Sequence, residues 1–174
     1  MIIRDAVAQD VDAIASVHVA SWQTTYTGIM PDEAIAARSF EVRQRQWQRS
    51  IANDNQIILV AEQNDKIVGF ANGGKPQADS NSYDCELYAI YLLKEAQQQG
   101  IGSALIRSLA KRLYASGYKS MILSVLENNA GSSQFYANLG GVIVGTGTYQ
   151  ATNNIALNII HYGWQNIQSL FSED

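Results

Sequence analysis

The sequence predicts an α/β fold, a mixed central sheet with helices on both faces, and three observations carry that prediction. Apolar segments of strand and helix period follow one another in the order β-α-α-β-β-β-α-β-α-β-β. Residues 86–113, ELYAIYLLKEAQQQGIGSALIRSLAKRL, pass from an apolar strand through a glycine-bearing turn into an amphipathic helix. With 174 residues, of which 47% are hydrophobic, the chain suits one domain that buries a substantial core, and it is too apolar for a disordered polymer.

Ile2-Ile3-Arg4 reads as a short opening strand. A helix starts between residues 8 and 10, with Asp10 and Asp12 in its early turns where carboxylates favour the dipole. Ile14, His18, Trp22 and Tyr26 recur every fourth residue and form one stripe of it. Gly28 and Pro31 mark a loop, and Pro31-Asp32-Glu33 begins a second helical region that breaks near Ser39-Phe40 and runs to about Ala52. Its Arg43, Arg45 and Arg49 are expected on a solvated face. QIILVAEQ (56–63) is a strand apolar on both faces, Asn64-Asp65 a two-residue hairpin turn, and 66–71 the returning strand. Residues 73–82 read as a polar loop.

Strand 83–93 leads into the central unit, whose helix carries Ile101, Ala104, Leu105, Leu109 and Leu113 at helical spacing and stops at Ser116-Gly117. Strand 120–126 follows, then a short helix from Asn128-Asn129 to Gly140-Gly141. Strands at 142–144 and 155–162, joined by an Asn153-Asn154 turn, complete the sheet. The domain is expected over residues 1–166, with 167–174 as a C-terminal tail.

A strand, glycine turn and helix in succession aim backbone N–H groups and a helix dipole at one spot, which suits a phosphate. The dinucleotide fingerprint fails, because Leu105 stands where its third glycine belongs, and Ser103-Ala104 is not the Lys-Ser/Thr pair of a P-loop. What remains is Gln97-Gln98-Gln99-Gly100-Ile101-Gly102, a Q-x-x-G-x-G pattern. The net charge of −4, with no basic cluster to offset it, argues against nucleic acid as the main partner. One cysteine, Cys85, excludes an internal disulfide framework and a multi-cysteine zinc site, and it is read as a small core residue. The first residues do not suit a signal peptide and no run suits a membrane helix, so a cytoplasmic protein without membrane contact is expected.

The Q-x-x-G-x-G loop resembles the coenzyme A pyrophosphate loop of the GNAT superfamily of acyl-CoA-dependent N-acetyltransferases. The segment 129–140, NAGSSQFYANLG, resembles that family's second signature through Asn129, Phe135, Tyr136, Leu139 and Gly140. Ser132 replaces its usual alanine and Gly141 its usual aromatic. Ala20-Ser21-Trp22 with Tyr26, Gly28 and Pro31 is similar to one branch of these enzymes, and the resemblance extends from Ile2 to about Trp164.

The resemblance implies a mostly antiparallel sheet of about seven strands, splayed at the cofactor site, with about four helices. It implies acetyl-CoA as co-substrate, no metal, and direct transfer in a ternary complex to a primary amine of a small molecule or peptide. Backbone groups of Ile90, Tyr91 and Leu92 would hold the pantetheine, with a Leu92 or Leu93 N–H near the acetyl oxygen. Gln97, Gln98, Gln99, Gly100, Ile101, Gly102 and Ser103 would form the pyrophosphate loop, and Asn129 would contact the cofactor arm. Tyr136 is the candidate acid toward the coenzyme A sulfur. Glu86, expected on the same strand face as Tyr88 and Ile90 and with a raised pKa, is the candidate base; His18 and His161 are weaker alternatives. Trp22 and Tyr26, with the 28–32 loop, are candidates for the acceptor wall. A non-catalytic acyl-CoA-binding domain would share the loop but would not need Tyr136 or Glu86, and the failed dinucleotide and P-loop patterns count against a nucleotide-binding module with another phosphate ligand. The apolar last strands and tail suit self-association into a homodimer.

Overall fold

The computed structural model describes residues 1–77 and 82–172. In chain order the elements are β1 (Ile2–Asp5), α1 (Val11–Tyr26), α2 (Asp32–Ala36), α3 (Phe40–Ile51), β2 (Gln56–Gln63), β3 (Lys66–Gly74), β4 (Cys85–Leu92), α4 (Ile101–Ala115), β5 (Met121–Leu126), α5 (Ala130–Asn138), β6 (Val142–Thr152) and β7 (Ile155–Trp164). The seven strands form one sheet in the order β1-β2-β3-β4-β5-β7-β6. Every neighbouring pair is antiparallel except β4 and β5.

Strand β2 shows why its sequence is apolar without alternation. Ile58 and Val60 face α1 and α3, packing with Ile14, Val17, Trp47 and Phe70. Leu59 and Ala61 face the opposite layer, where α4 contributes Leu105, Ile106, Leu109 and Leu113. A strand buried on both faces has no polar side to present.

The expected break in the second helical region divides it into α2 and α3, so the described residues form five α-helices where about four were expected. Ser39 caps α3, its hydroxyl accepting from the Val42 amide at 3.4 Å. Asn64 and Asp65 both have positive φ (51° and 59°), as a tight turn matched to the strand twist requires.

Three boundaries differ from expectation. Strand β3 continues through Gly73 and Gly74, which the sequence assigned to a loop. A Cβ on Gly73 would lie 2.6 Å from the Glu86 carbonyl oxygen, and one on Gly74 would lie 2.7 Å from that of Asn55. Those glycines therefore serve close backbone approach within a sheet. Strand β6 runs from Val142 to Thr152, far past residue 144, because cross-strand pairing with β7 overrides the weak strand propensity of its glycines. It forms the sheet edge and leaves Val142, Ile143 and Val144 exposed. Beyond β7, Ile167–Leu170 form a short turn anchored by the Ile167 amide to the Lys119 carbonyl, and Ile167 and Leu170 are buried against the α4 layer. Part of the expected tail thus belongs to the core.

Among the described residues, no helix is long and apolar enough to cross a membrane.

Candidate active site

The site begins with a defect in strand pairing. Strands β4 and β5 pair only at Cys85–Met121 and Glu86–Ile122, then separate. On its other edge β4 stays paired to β3, but Tyr88 is an extra residue: Gly73 opposes Leu87 and Asn72 opposes Ala89. Such a bulge bends the strand and resets its alternation. Leu87 and Ile90, three apart, consequently pack on the α4 side, while Ala89 and Tyr91 pack on the α1 side.

The pairing also decides which amides are free. The Leu93 N–H donates to Val68 O at 2.9 Å, which makes Val68–Leu93 a hydrogen-bonded pair of the antiparallel ladder. Bonded and non-bonded pairs alternate, so Phe70–Tyr91 is bonded while Ala71–Ile90 and Gly69–Leu92 are not. The amides of Ile90 and Leu92 therefore point away from β3, into the gap left by β5. This corrects two expectations: the N–H groups of Tyr91 and Leu93 are committed to β3. The Leu92 carbonyl is itself held in place, accepting from Ser21 Oγ at 2.9 Å and Gln97 Nε2 at 3.3 Å.

The gap is the mouth of a cleft of about 630 Å³, lined on one side by residues from Leu87 to Leu92 and on the other by Leu123, Ser124 and Val125. One end is closed by the glycine loop. Gln98 (φ 58°) and Gly100 (φ 79°) take left-handed conformations, turning the chain sharply into α4. The first α4 amide bond to its own loop is Ala104 to Gly100, so the amides of Ile101, Gly102 and Ser103 stand free at the helix N-terminus. Gly102 is tightly placed: a Cβ there would come within 3.2 Å of the Phe135 ring and 3.5 Å of Leu92. Gln97 and Gln99 turn their side chains back onto the loop, to the Leu92 and Glu95 carbonyls. They shape the turn, while its backbone faces the cleft. Asn129 caps α5, its Oδ1 accepting from the Ser132 amide at 3.2 Å, and it lines the cleft beside Gly131 and Ser132.

At the centre lie tyrosines. Tyr136 lines the cleft with its ring packed against Phe135, Tyr162 and Trp164. Burial, with a smaller contribution from Tyr26, raises its phenol well above the usual value, so it stays protonated at neutral pH. Opposite it, the Tyr26 and Tyr91 hydroxyls hydrogen-bond at 3.0 Å, and burial is the main cause that raises both. Tyr91, singled out in the sequence for its backbone, is among the residues that line the cleft, and its hydroxyl is held by that of Tyr26.

A free edge of strand amides, a helix N-terminus and a protonated phenol around one cleft is an arrangement suited to an acyl thioester with a phosphate tail. Comparison with known proteins agrees. Residues 17–141 match the model of the acetyltransferase (GNAT) family. The chain belongs to that family. It is 32% identical over 169 residues to the uncharacterized N-acetyltransferase YuaI of Bacillus subtilis strain 168, covering 97% of this chain and 95% of that one. Its fold is shared with PaiA N-acetyltransferase from Thermoplasma acidophilum in complex with coenzyme A (TM-score 0.72, 24% identity, 94% of this chain and 98% of that one). It is also shared with the putative acetyltransferase yncA from Salmonella typhimurium with acetyl-CoA (TM-score 0.71, 20% identity, 94% and 92%). As a GNAT protein the chain is an acyltransferase of the N-acetyltransferase type.

The remaining candidates fall in different places of this GNAT fold. Glu86 precedes the bulge, so it does not share a face with Ile90 as the uninterrupted alternation predicted; it lies on the side of Ala89 and Tyr91. Its carboxylate accepts from the Gln77 amide at 2.8 Å and is not part of the cleft lining. His18 is buried among Trp47, Phe70 and Tyr91, and its Nδ1 accepts from Trp47 Nε1 at 3.1 Å. Burial first, and the Arg43 and Arg38 charges next, lower its pKa to about 2, which removes it as a base at neutral pH. His161 pairs with Ser124 Oγ at 2.9 Å. Cys85 is a buried thiol pushed up to about 12 by burial and by Asp84, inert as expected of a core residue.

Trp22, on α1, is buried against Arg38, which lies between α2 and α3, and Arg43 of α3, while Tyr26 lines the cleft. Arg45 and Arg49 are exposed, but Arg43 is 7% exposed and its guanidinium lies 4.8 Å from the Trp22 ring centre, contrary to the expected solvated face. The signal was available: Arg43 precedes the buried Trp47 by four residues and so shares its face of α3.

Proposed function

We propose that the chain transfers the acetyl group of acetyl-CoA directly to a primary amine of a small molecule or peptide within a ternary complex. The observation that carries this reading is the pair of unbonded strand amides, Ile90 and Leu92, facing the same cleft as the protonated Tyr136 phenol. The cofactor site fits: the amides of Gln98 to Ser103 would receive the pyrophosphate at the end of the cleft, and Asn129 would flank the arm.

Acetyl-CoA, when bound, supplies an activated thioester. The chain supplies the rest. Ile90 and Leu92 orient the arm, and one of these two free amides is the donor for the acetyl oxygen. Tyr136 holds a proton for the departing sulfur and, being buried, does not lose it to solvent at neutral pH. Tyr26 and Tyr91 form the wall on the acceptor side, backed by Trp22. Glu86, on the Tyr91 side of β4, is the carboxylate proposed to take the amine's proton through water. A non-catalytic binding domain would not need Tyr136 in the cleft or a carboxylate such as Glu86, and the presence of both residues favours catalysis.

Tyr136→Phe tests this reading. Turnover is expected to fall about 100-fold, while calorimetric affinity for acetyl-CoA stays within about twofold. Unchanged turnover removes Tyr136 from the mechanism.

A further inference from the structure

Behind the Tyr26–Tyr91 wall of the cleft, packed on Trp22, lies a charge that the protein leaves unanswered. Arg43 is buried, and of its nitrogens only Nη1 finds a partner, Gln46 Oε1 at 3.0 Å. Its Nε and Nη2 are buried without any hydrogen-bond partner among the described residues, and the same holds for the indole Nε1 of Trp22. A second guanidinium, Arg38, lies 5.3 Å from the Trp22 ring centre and donates to Tyr149 Oη at 2.6 Å. Two cations thus share one indole. No described Asp or Glu forms an ion pair with either; the described ion pairs belong to Arg4 and Arg112.

Buried charges and buried donors are as a rule paired, because removing them from water is costly. Cation–π contact with Trp22 offsets part of that cost but leaves the in-plane N–H groups empty. The two empty nitrogens of Arg43, Nε and Nη2, lie on one edge of the guanidinium, and that fork matches the two oxygens of a carboxylate. The cluster adjoins the reaction site. Arg43 interacts electrostatically with both Tyr26 and Tyr91, whose linked hydroxyls line the cleft across from Tyr136.

Resting on the acetyltransferase reading, we propose that the acceptor carries a carboxylate as well as its amine, as an amino acid does. Arg43 grips that carboxylate by its Nε–Nη2 edge, and Arg38 and Trp22 Nε1 close the subsite. The amine is thereby directed past the Tyr26–Tyr91 pair toward Tyr136. The neutral phenols let the amine pass without adding a competing charge.

Calorimetric titration with N-acetylglycine, a product-like carboxylate, and with its neutral amide N-acetylglycinamide tests the proposal, with and without saturating coenzyme A. The wild-type protein is expected to prefer the carboxylate by roughly tenfold or more, as befits a charge-assisted fork. In Arg43→Gln that preference should fall to about one, with coenzyme A affinity within about twofold of wild type. Arg38→Gln, at a half-buried position that tolerates change better, should reduce the preference as well. Equal binding of the two probes, binding of neither, or an undiminished preference in both variants overturns the proposal. A protein that prefers the carboxylate but does not bind coenzyme A would instead overturn the acetyltransferase reading and leave the anion subsite standing.

Discussion

Acidification provides a direct test of how the layer beneath the acceptor wall is built. His18 is neutral in the fold, with a pKa lowered from 6.5 to about 2 by burial and by Arg43 and Arg38. The unfolded chain regains the ordinary value, so below pH 6.5 it takes up a proton that the folded state refuses. Stability from this residue is therefore full above the unfolded pKa and is lost as pH falls beneath it. Between pH 7 and pH 5 the folded imidazole stays neutral and the unfolded one becomes almost fully charged, a loss of about 2 kcal/mol. For a chain of this size that corresponds to a fall in Tm of roughly 4–8 °C. Asp10, whose carboxyl is lowered mainly by its hydrogen bond to Arg4, loses its contribution as pH falls through and below 3.8, outside the window. The assay is urea unfolding at both pH values for the wild type and His18→Gln, in which the amide oxygen can still accept from Trp47. The variant's own packing cost is common to both conditions, so the difference of differences isolates the titration. An equal pH effect in the two proteins refutes the reasoning. So does an imidazole NMR titration near 6.5 for His18, one of only two histidines; it would also restore His18 as a base.

Other consequences are simpler to read. Gly102→Val places a Cβ 3.2 Å from Phe135 and so displaces the turn that presents the free amides; loss of one charge-assisted contact there, about 1.5–3 kcal/mol, should weaken coenzyme A binding roughly tenfold or more, as calorimetry would show. Glu86→Gln should lower kcat/KM about 100-fold and flatten the acidic limb of its pH profile; an acidic limb that persists moves the base elsewhere. Ile167→Ala, at a fully buried position in the α4 layer, should cost about 2–5 kcal/mol in denaturant unfolding, whereas a loosely attached tail would give almost none.

The parts of this fold that were legible in the sequence are those decided within a few residues. The Gly100 turn is one: its positive φ and the free amides after it follow from a local run of glycines between a strand and a helix. The Asn64-Asp65 turn and the break near Ser39-Phe40 are others. What was hidden is decided by partners distant in sequence. Strand β6 is long because β7 lies beside it, and Ile167 is core because the turn after β7 returns to Lys119. Arg43 was read as surface because charge outweighs periodicity in any composition-based judgement, although its spacing from Trp47 placed it on the buried face.

The bulge at Tyr88 matters most, since strand alternation is the rule by which Glu86 was linked to Ile90. That rule assumes an unbroken ladder, and the ladder is broken by β3, where Gly73 meets the Glu86 carbonyl too closely for any side chain. The same break turns β4 away from β5 and sets Tyr91 toward Tyr26 while Ile90 and Leu92 keep free amides over the gap. One extra residue thus separates two roles in the proposed mechanism: side chains on one face for the acceptor, and backbone donors along one edge for the acyl group. A substitution that removed the bulge would have to shift either Glu86 or Tyr91 to the other face, so the relation between acceptor wall and amide edge is a property of the β3–β4 pairing and not of β4 alone.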